Sequence, residues 1–478
     1  MKLNWPLLTI VALYLIVGSL YAIYTPLWQV PDEPAHYNYV RALADTHHLP
    51  VMESGDYDQA YIERLTSEGF PAHLSVAALT YEDHQPPLYY LLATPVYWLS
   101  GGSLRVLRLF SLALGGVVVV MTGRIAQLLF PQRKTLVWLA AGLVAFIPQH
   151  VAMMAGVNND ALTEALLALW LYLALEYLRS NVRPVTLSLV GGALLLTKTT
   201  GYVVLPLSLV VLALRHVRSR LSWRRTARQA LLLLIPTLLL GALWWGRNLA
   251  VYGWPDFLGL QRHNAVVVGQ PRTADWIARD GLFPFLTDAL RTTFRSFWGQ
   301  FGWMGVVVDR RIYLAVGLLS ALMLWGFVWH LINGKDDTPH PRHRDALILL
   351  GCATAFTFAL PFWYNLTFVQ HQGRYLFPAL PALALAAALG LHRLAQIRLA
   401  VITALLLFLV LLVLGGVGLV RGDLPLWPMV MTGLTIALVM AAGVLGEAWH
   451  PWFAGLLLSG LIALDLWCLF GFIVPMLT

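Results

Sequence analysis

Residues 5–37 read WPLLTIVALYLIVGSLYAIYTPLWQVPDEPAHY. The part from Leu7 to Leu27 carries no charge and is long enough to cross a bilayer, which takes about 20 apolar residues. Directly behind it stand Pro31, Asp32, Glu33, Pro34, Ala35, His36 and Tyr37. No small-residue cleavage site precedes this polar group, so the stretch reads as a retained span and not as a signal peptide. A charged, proline-bracketed segment immediately after a first span sets the pattern for the rest of the chain.

Apolar runs of similar length recur at 104–130, 135–156, 160–178, 227–251, 312–333, 346–364, 374–392, 397–420, 425–446 and 451–474. Of the 478 residues, 59% are apolar and 12% charged, where soluble domains are about half apolar and about a quarter charged. These figures exclude a soluble enzyme and a disordered chain. The net charge of +8 (32 Lys and Arg against 24 Asp and Glu) is distributed between apolar runs. There it sets topology, and no nucleic-acid partner is expected. Cys352 and Cys468 fall within apolar runs, so they suit neither a disulfide framework nor a metal site.

Two segments need the charge rule to place them. Leu88 to Leu99 is short and contains Pro95, and Val185 to Leu214 is long with Lys198 in its middle. Basic short loops belong on the cytoplasmic side. Arg133-Lys134, residues 179–183, the six arginines of 215–228 and residues 393–398 all fall inside only on one condition. The first segment must lie along the surface, and the second must make two short spans turning near Lys198. This predicts about thirteen spans, an inner N-terminus and outer segments at 28–103, 157–160, 198–201, 252–311 and 365–374. Ten of the 24 acids lie in residues 28–84, against two arginines. A helix is expected there from Pro34 to Leu43, with a mixed face suited to the membrane interface.

Four groups of outer-side residues carry chemistry. Asp32 and Glu33 are adjacent, and His36 follows Asp32 by four positions, so Asp32 and His36 can share one helical side. Asp32 also suits a helix N-cap ahead of Pro34. Paired acids at a membrane surface can supply a general base or hold a divalent cation. Glu82, Asp83 and His84 precede Pro86-Pro87 and the aromatic Tyr89 and Tyr90, a junction suited to positioning a substrate. Asp160 follows Asn158-Asn159, and Glu164 is one turn on. A cap is the ordinary role for such an Asp, whereas an acid at membrane depth is costly and marks function. Lys198, Arg247 and Arg374 (in Gly373-Arg374-Tyr375) complete the set. Each alone would snorkel to headgroups; together at one leaflet they can bind a lipid phosphate. Residues 340–343 (His-Pro-Arg-His) read as a topogenic inner loop, and Asp465 stands in the last span without an evident partner.

The order of these elements resembles one superfamily. An acid pair after the first span, Pro86-Pro87-Leu88-Tyr89, Asn159-Asp160 after the third span and Gly373-Arg374-Tyr375 near the tenth are similar to the GT-C integral-membrane glycosyltransferases. Within them, the chain resembles the protein O-mannosyltransferase and lipid A aminoarabinose transferase group. The resemblance covers residues 1–395 and implies an all-α polytopic membrane protein of GT-C-like fold, with interfacial helices in the first outer segment. Residues 1–395 would form the catalytic transmembrane module with outer segments 28–103 and 252–311. Residues 396–478 would be further spans, without the soluble domain that ends several relatives.

The resemblance also implies an activity: inverting transfer of a sugar from a polyprenyl-phosphate donor to a hydroxyl on a lipid, glycan or protein acceptor. The reaction would take place at the outer face of a bacterial-type inner or plasma membrane, among membrane lipids. Asp32 corresponds to the catalytic acid, a general base, with Glu33 and Asp160 orienting groups or a cation. Arg374 corresponds to the donor-phosphate cation, assisted by Lys198 and Arg247, while Glu82, Asp83, His84 and Tyr89 would position substrate. Some members bind a divalent metal ion, which makes His36 and Glu82 candidate ligands. A lipid-linked-substrate transporter or flippase and an oligosaccharide polymerase or ligase remain as alternatives.

Overall fold

The computed structural model describes residues 5–333, 341–446 and 450–478. His340 lies outside the described residues, as do the side chains of Pro341, Arg342 and His343. Trp5–Tyr24 (α1) is the first span; it buries Tyr14, Val17 and Tyr21 and turns Leu8, Leu15 and Ile16 outward. That distribution suits a helix packed on one side and in contact with lipid on the other. Glu33–Thr46 (α2), Gln59–Ser67 (α3) and Leu88–Ser100 (α4) then remain at one end of the bundle. Pro34 occupies the first turn of α2, where its missing N–H costs nothing. Helix α4 has 13 residues, too few to cross an apolar layer about 30 Å thick.

Leu104–Leu129 (α5) returns through the bundle. Lys134–Ala145 (α6) and Pro148–Met154 (α7) form one span bent by 62°. Pro148 cannot extend the hydrogen-bond ladder of α6 and opens a new helix instead. Asp160–Leu178 (α8), Pro184–Leu195 (α9), Val204–Ser219 (α10) and Trp223–Tyr252 (α11) follow, with Lys198 in the break between α9 and α10. The second outer segment contains Leu260–Val266 (α12), Thr273–Asp280 (α13), Leu282–Trp298 (α14) and a hairpin of Gln300–Phe301 (β1) with Val306–Val307 (β2). Arg310–Asn333 (α15), Pro341–Tyr364 (α16), Leu380–Leu394 (α17), Ile397–Arg421 (α18), Leu426–Leu445 (α19) and His450–Trp467 (α20) complete the bundle. A 3-10 turn over Gly373–Ala379 leads into α17, and a π-helical turn over Cys468–Ile473 ends α20.

Among the described residues, eleven helices are long and apolar enough to cross a membrane, or twelve if the bent pair is one span. The protein is an integral membrane protein. The expected count of thirteen depends on α9. Residues 185–214 do divide into two segments, but α9 has 12 residues. At 1.5 Å per residue it reaches about 18 Å, short of an apolar layer about 30 Å thick. Close helix contacts hold the bundle. A Cβ on Gly326 of α15 would fall 2.2 Å from the carbonyl oxygen of Gly390 on α17, so only glycine allows this crossing. Small hydrophobic clusters seat the outer segments: Tyr39, Tyr89 and Tyr90 between α2 and α4, and Met52, Leu65, Tyr81 and Val266 between the two outer segments.

Candidate active site

Asp32 immediately precedes α2 with φ 66°, in the left-handed region, and its side chain makes no cap bond. Aspartate tolerates this backbone better than most residues. The carboxylate reaches into the bundle instead. Oδ2 accepts from Arg374 Nη2 at 2.6 Å, and Oδ1 accepts from the Tyr81 hydroxyl at 3.0 Å. Arg374 arrives on the 3-10 turn, which α14 clamps. The Gly373 amide donates to Ser296 Oγ at 2.7 Å, and a Cβ on Gly373 would lie 2.3 Å from Thr293 O and Phe297 N.

A second pair stands beside the first. Asp160 opens α8, and its Oδ1 accepts from Lys198 Nζ at 2.7 Å. The start of a helix favours a carboxylate, and the break between α9 and α10 supplies the ammonium. Arg374 acts electrostatically on Asp160 as well as on Asp32, and Lys198 on Glu82, so the two pairs share one pocket. His36 is buried on the same side of α2, its Nδ1 2.8 Å from the Tyr90 hydroxyl. Tyr90 in turn stacks on Tyr39 with ring centroids 3.6 Å apart.

The charges tune one another. Burial opposes ionisation of Asp32, but Arg374, His36 and the bonds from Arg374 and Tyr81 outweigh it, leaving its carboxyl below the ordinary range. Burial pushes the Glu82 carboxyl up; His36 and Lys198 oppose this, and Asp32 adds to it. Burial also depresses His36, against the pull of Glu82 and Asp32, and so favours a neutral imidazole. The pocket therefore holds an ionised Asp32 beside a carboxyl that resists ionisation, a separation of roles found where acid–base chemistry occurs.

Several expected site residues stand elsewhere. Glu33 does not face the pocket. It is fully buried against Arg108, which donates to it at 2.8 and 2.6 Å, and it also accepts from the Val157 amide at 3.2 Å. Residues 32 and 33 sit at a helix start with Asp32 left-handed, so adjacency in sequence sends the two carboxylates to different partners. Arg247 donates to Asn248 Oδ1 and Pro50 O and lies over the Trp244 and Tyr252 rings, at 4.8 and 5.3 Å. Its electrostatic influence reaches Asp83 and Tyr39; it does not join Arg374 and Lys198. Tyr89 is buried with its hydroxyl 2.7 Å from Ser111 Oγ. His84 lies 3.0 Å from Tyr81 O through Nδ1, and its ring centroid is 4.3 Å from that of His263. Burial, with Asp56 and Glu82 near, pushes Asp83 up to about 8. Glu164 pairs with His150 at 3.1 Å, one turn into α8.

His36 and Glu82 do approach each other, but His36 Nδ1 is engaged by Tyr90. Among the described residues no three His, Cys, Asp or Glu side chains gather as a metal-binding set. Sequence reasoning also missed two residues, Tyr81 at the site and Arg108 at the end of α1. Nothing local in the sequence marks the Tyr81 hydroxyl as a partner of Asp32. Arg108 did carry a signal, as a guanidinium within an apolar run. Its N–H groups also donate to Ala22 O, Thr25 O and Pro26 O at 3.2, 2.7 and 3.0 Å, fixing the end of α1.

Comparison with known proteins bears on the fold. Residues 84–245 match the family described as dolichyl-phosphate-mannose-protein mannosyltransferase. No curated protein matches the chain in sequence. Among solved structures, ArnT from Cupriavidus metallidurans bound to undecaprenyl phosphate is similar with a TM-score of 0.53 and 16% identity, over 98% of this chain and 76% of that one. The apo state of the same protein gives 0.54 and 16% over the same shares. The Archaeoglobus fulgidus oligosaccharyltransferase tethered with an acceptor peptide gives 0.44 and 14%, over 94% of this chain and 55% of that one. The expected all-α, GT-C-like membrane fold is the one observed.

Proposed function

We propose that the chain is an inverting glycosyltransferase that moves a sugar from a polyprenyl-phosphate donor to a hydroxyl acceptor at the extracytoplasmic membrane face. The observation that carries this reading is the meeting of the Asp32–Arg374 and Asp160–Lys198 pairs in one pocket. Undecaprenyl phosphate bound to ArnT, a protein of the same fold, supports a lipid phosphate as the ligand of the two cations. The charge rule supports the outer face. Charged groups gathered at one end of the bundle favour this reading over a transporter, whose site would lie near the membrane midplane.

The resting pocket is nearly neutral, since each carboxylate has its own cation. An arriving donor phosphate shares the Arg374 guanidinium and the Lys198 ammonium. Arg374 then attracts the Asp32 carboxylate less strongly, and Asp32 becomes a better base. Asp32 takes the proton of the acceptor hydroxyl while the acceptor oxygen bonds to the anomeric carbon from the face opposite the phosphate. The carbon–oxygen bond to phosphate breaks, and its electron pair leaves on the phosphate oxygen. Arg374 and Lys198 stabilise the charge that develops there. Tyr81 and Asp160 hold Asp32 and Lys198 in register. The test is release of polyprenyl phosphate from a polyprenyl-phosphate sugar by the purified protein with membrane-derived acceptors. Asp32→Asn should lower the rate by about 100-fold or more while donor binding persists. Wild-type rates from this variant would overturn the assignment.

A further inference from the structure

Beside the Asp32–Arg374 and Asp160–Lys198 pairs, four buried polar atoms have no hydrogen-bond partner among the described residues: Glu82 Oε2, Asn159 Oδ1, Thr200 Oγ1 and Arg374 Nε. Folded proteins leave few such atoms, because each forfeits the hydration it had when unfolded. These come from four separate stretches of chain that the two ion pairs and the Glu82–Lys198 attraction bring together. Asn159 adjoins Asp160, and Thr200 follows Lys198 by two positions. The Asp160–Lys198 bond ties those two stretches together, and Glu82 acts on both Lys198 and His36. Asn159 Nδ2 points to Thr197 O at 3.4 Å, which turns the amide so that its oxygen is left over.

We infer that Glu82, Asn159 and Thr200 form the wall of the pocket that reads the sugar, and that they select an uncharged ring with neighbouring hydroxyls over an amino sugar. This inference rests on the transfer reaction proposed above. Asn159 Oδ1 can only accept a hydrogen bond, Thr200 Oγ1 can donate or accept, and Glu82 does either according to its protonation. Hydroxyl groups on adjacent ring carbons satisfy all three. An ammonium would need an anion of its own. In the resting site Asp32 and Asp160 are each paired with a cation, Arg374 and Lys198, at 2.6 and 2.7 Å, and a donor phosphate shares these cations without displacing them from the carboxylates. Burial disfavours a charge on Glu82. Arg374 Nε, the remaining unpaired donor, suits the phosphate oxygens next to the ring.

The experiment measures binding of three probes to the full purified chain: bare polyprenyl phosphate, a polyprenyl-phosphate hexose and a polyprenyl-phosphate amino sugar. Wild type should hold the hexose-linked lipid more tightly than the other two. Thr200→Val and Glu82→Leu should each weaken the hexose-linked lipid by about ten-fold and leave the bare lipid unchanged. Glu82→Gln, which keeps a neutral hydrogen-bonding group, should restore most of the loss seen in Glu82→Leu. Thr200→Val is close to isosteric and keeps the test open should Glu82→Leu misfold. Equal losses for bare and hexose-linked lipid, or tighter wild-type binding of the amino sugar, would overturn the inference while the transfer reaction stands. Wild type binding none of the three lipids would overturn both.

Discussion

Arg374 donates a 2.6 Å hydrogen bond to Asp32, a residue 342 positions earlier in the chain. The bond closes the candidate site between the first outer segment and the turn leading into α17. It also holds the Asp32 carboxyl below its ordinary range, against burial.

The pH dependence of transfer should follow from this pair. An ionised Asp32 is the active base, so kcat/KM in wild type should reach its plateau from mildly acidic pH upward. Removing the guanidinium in Arg374→Ala leaves burial opposed only by His36 and the Tyr81 bond, which raises the pKa. The acid limb of kcat/KM should then move to higher pH, with Arg374→Lys between the two. A limb that stays in place would dissociate Asp32 from the titration.

Gly373→Ala should damage the site without touching a charged group. The added methyl would meet backbone atoms of Thr293 and Phe297 at 2.3 Å, so the Arg374 turn must move away from α14. Affinity for polyprenyl phosphate should fall by about ten-fold or more, since part of an ion contact to phosphate is at stake. Isothermal titration with the lipid in detergent would read this. Unchanged affinity would mean that Arg374 is seated without the clamp.

Arg108→Ala should be among the most damaging substitutions to stability. It leaves Glu33 buried and unpaired and releases three carbonyls at the end of α1. Breaking a buried pair by removing one partner costs about 3–5 kcal/mol. Replacing both partners by apolar residues (Arg108→Leu with Glu33→Leu) should restore part of that loss. Thermal unfolding in detergent would show both, and a double variant no more stable than Arg108→Ala would contradict the account.

Asp465→Leu should act in the opposite direction. Asp465 is fully buried in α20, and neither of its carboxyl oxygens has a partner. An apolar side chain of similar size removes the unmet hydrogen bonds and should stabilise the protein by roughly 1–3 kcal/mol. A lower melting temperature in this variant would show that the carboxyl is satisfied within the folded protein.

Much of this arrangement could be read from residue order alone. Apolar length located the long spans, and residues 185–214 divide into two segments near Lys198 as the charge rule suggests. Asp32, Asp160, Lys198 and Arg374 could be assigned to one end of the bundle before their contacts were known, because alternating spans leave them there. The assignment of Glu33 failed because sequence adjacency carries no information about direction at a helix start with a left-handed residue. Arg247 failed for a related reason. Lying at the right membrane depth does not put a side chain in the pocket, and the rings of Trp244 and Tyr252 compete for its guanidinium. Arg108 was overlooked although its location was informative, and the Tyr81 hydroxyl had no linear signature at all.

The left-handed backbone at Asp32, with φ 66°, bears on how an inactive form of the protein should be made. Alanine carries a penalty in that conformation and asparagine much less. An alanine variant would therefore distort the first turn of α2 while deleting the base, and a lost reaction would have two causes. Asparagine keeps the local geometry and changes the proton chemistry alone, which makes it the cleaner trap for a complex with intact donor.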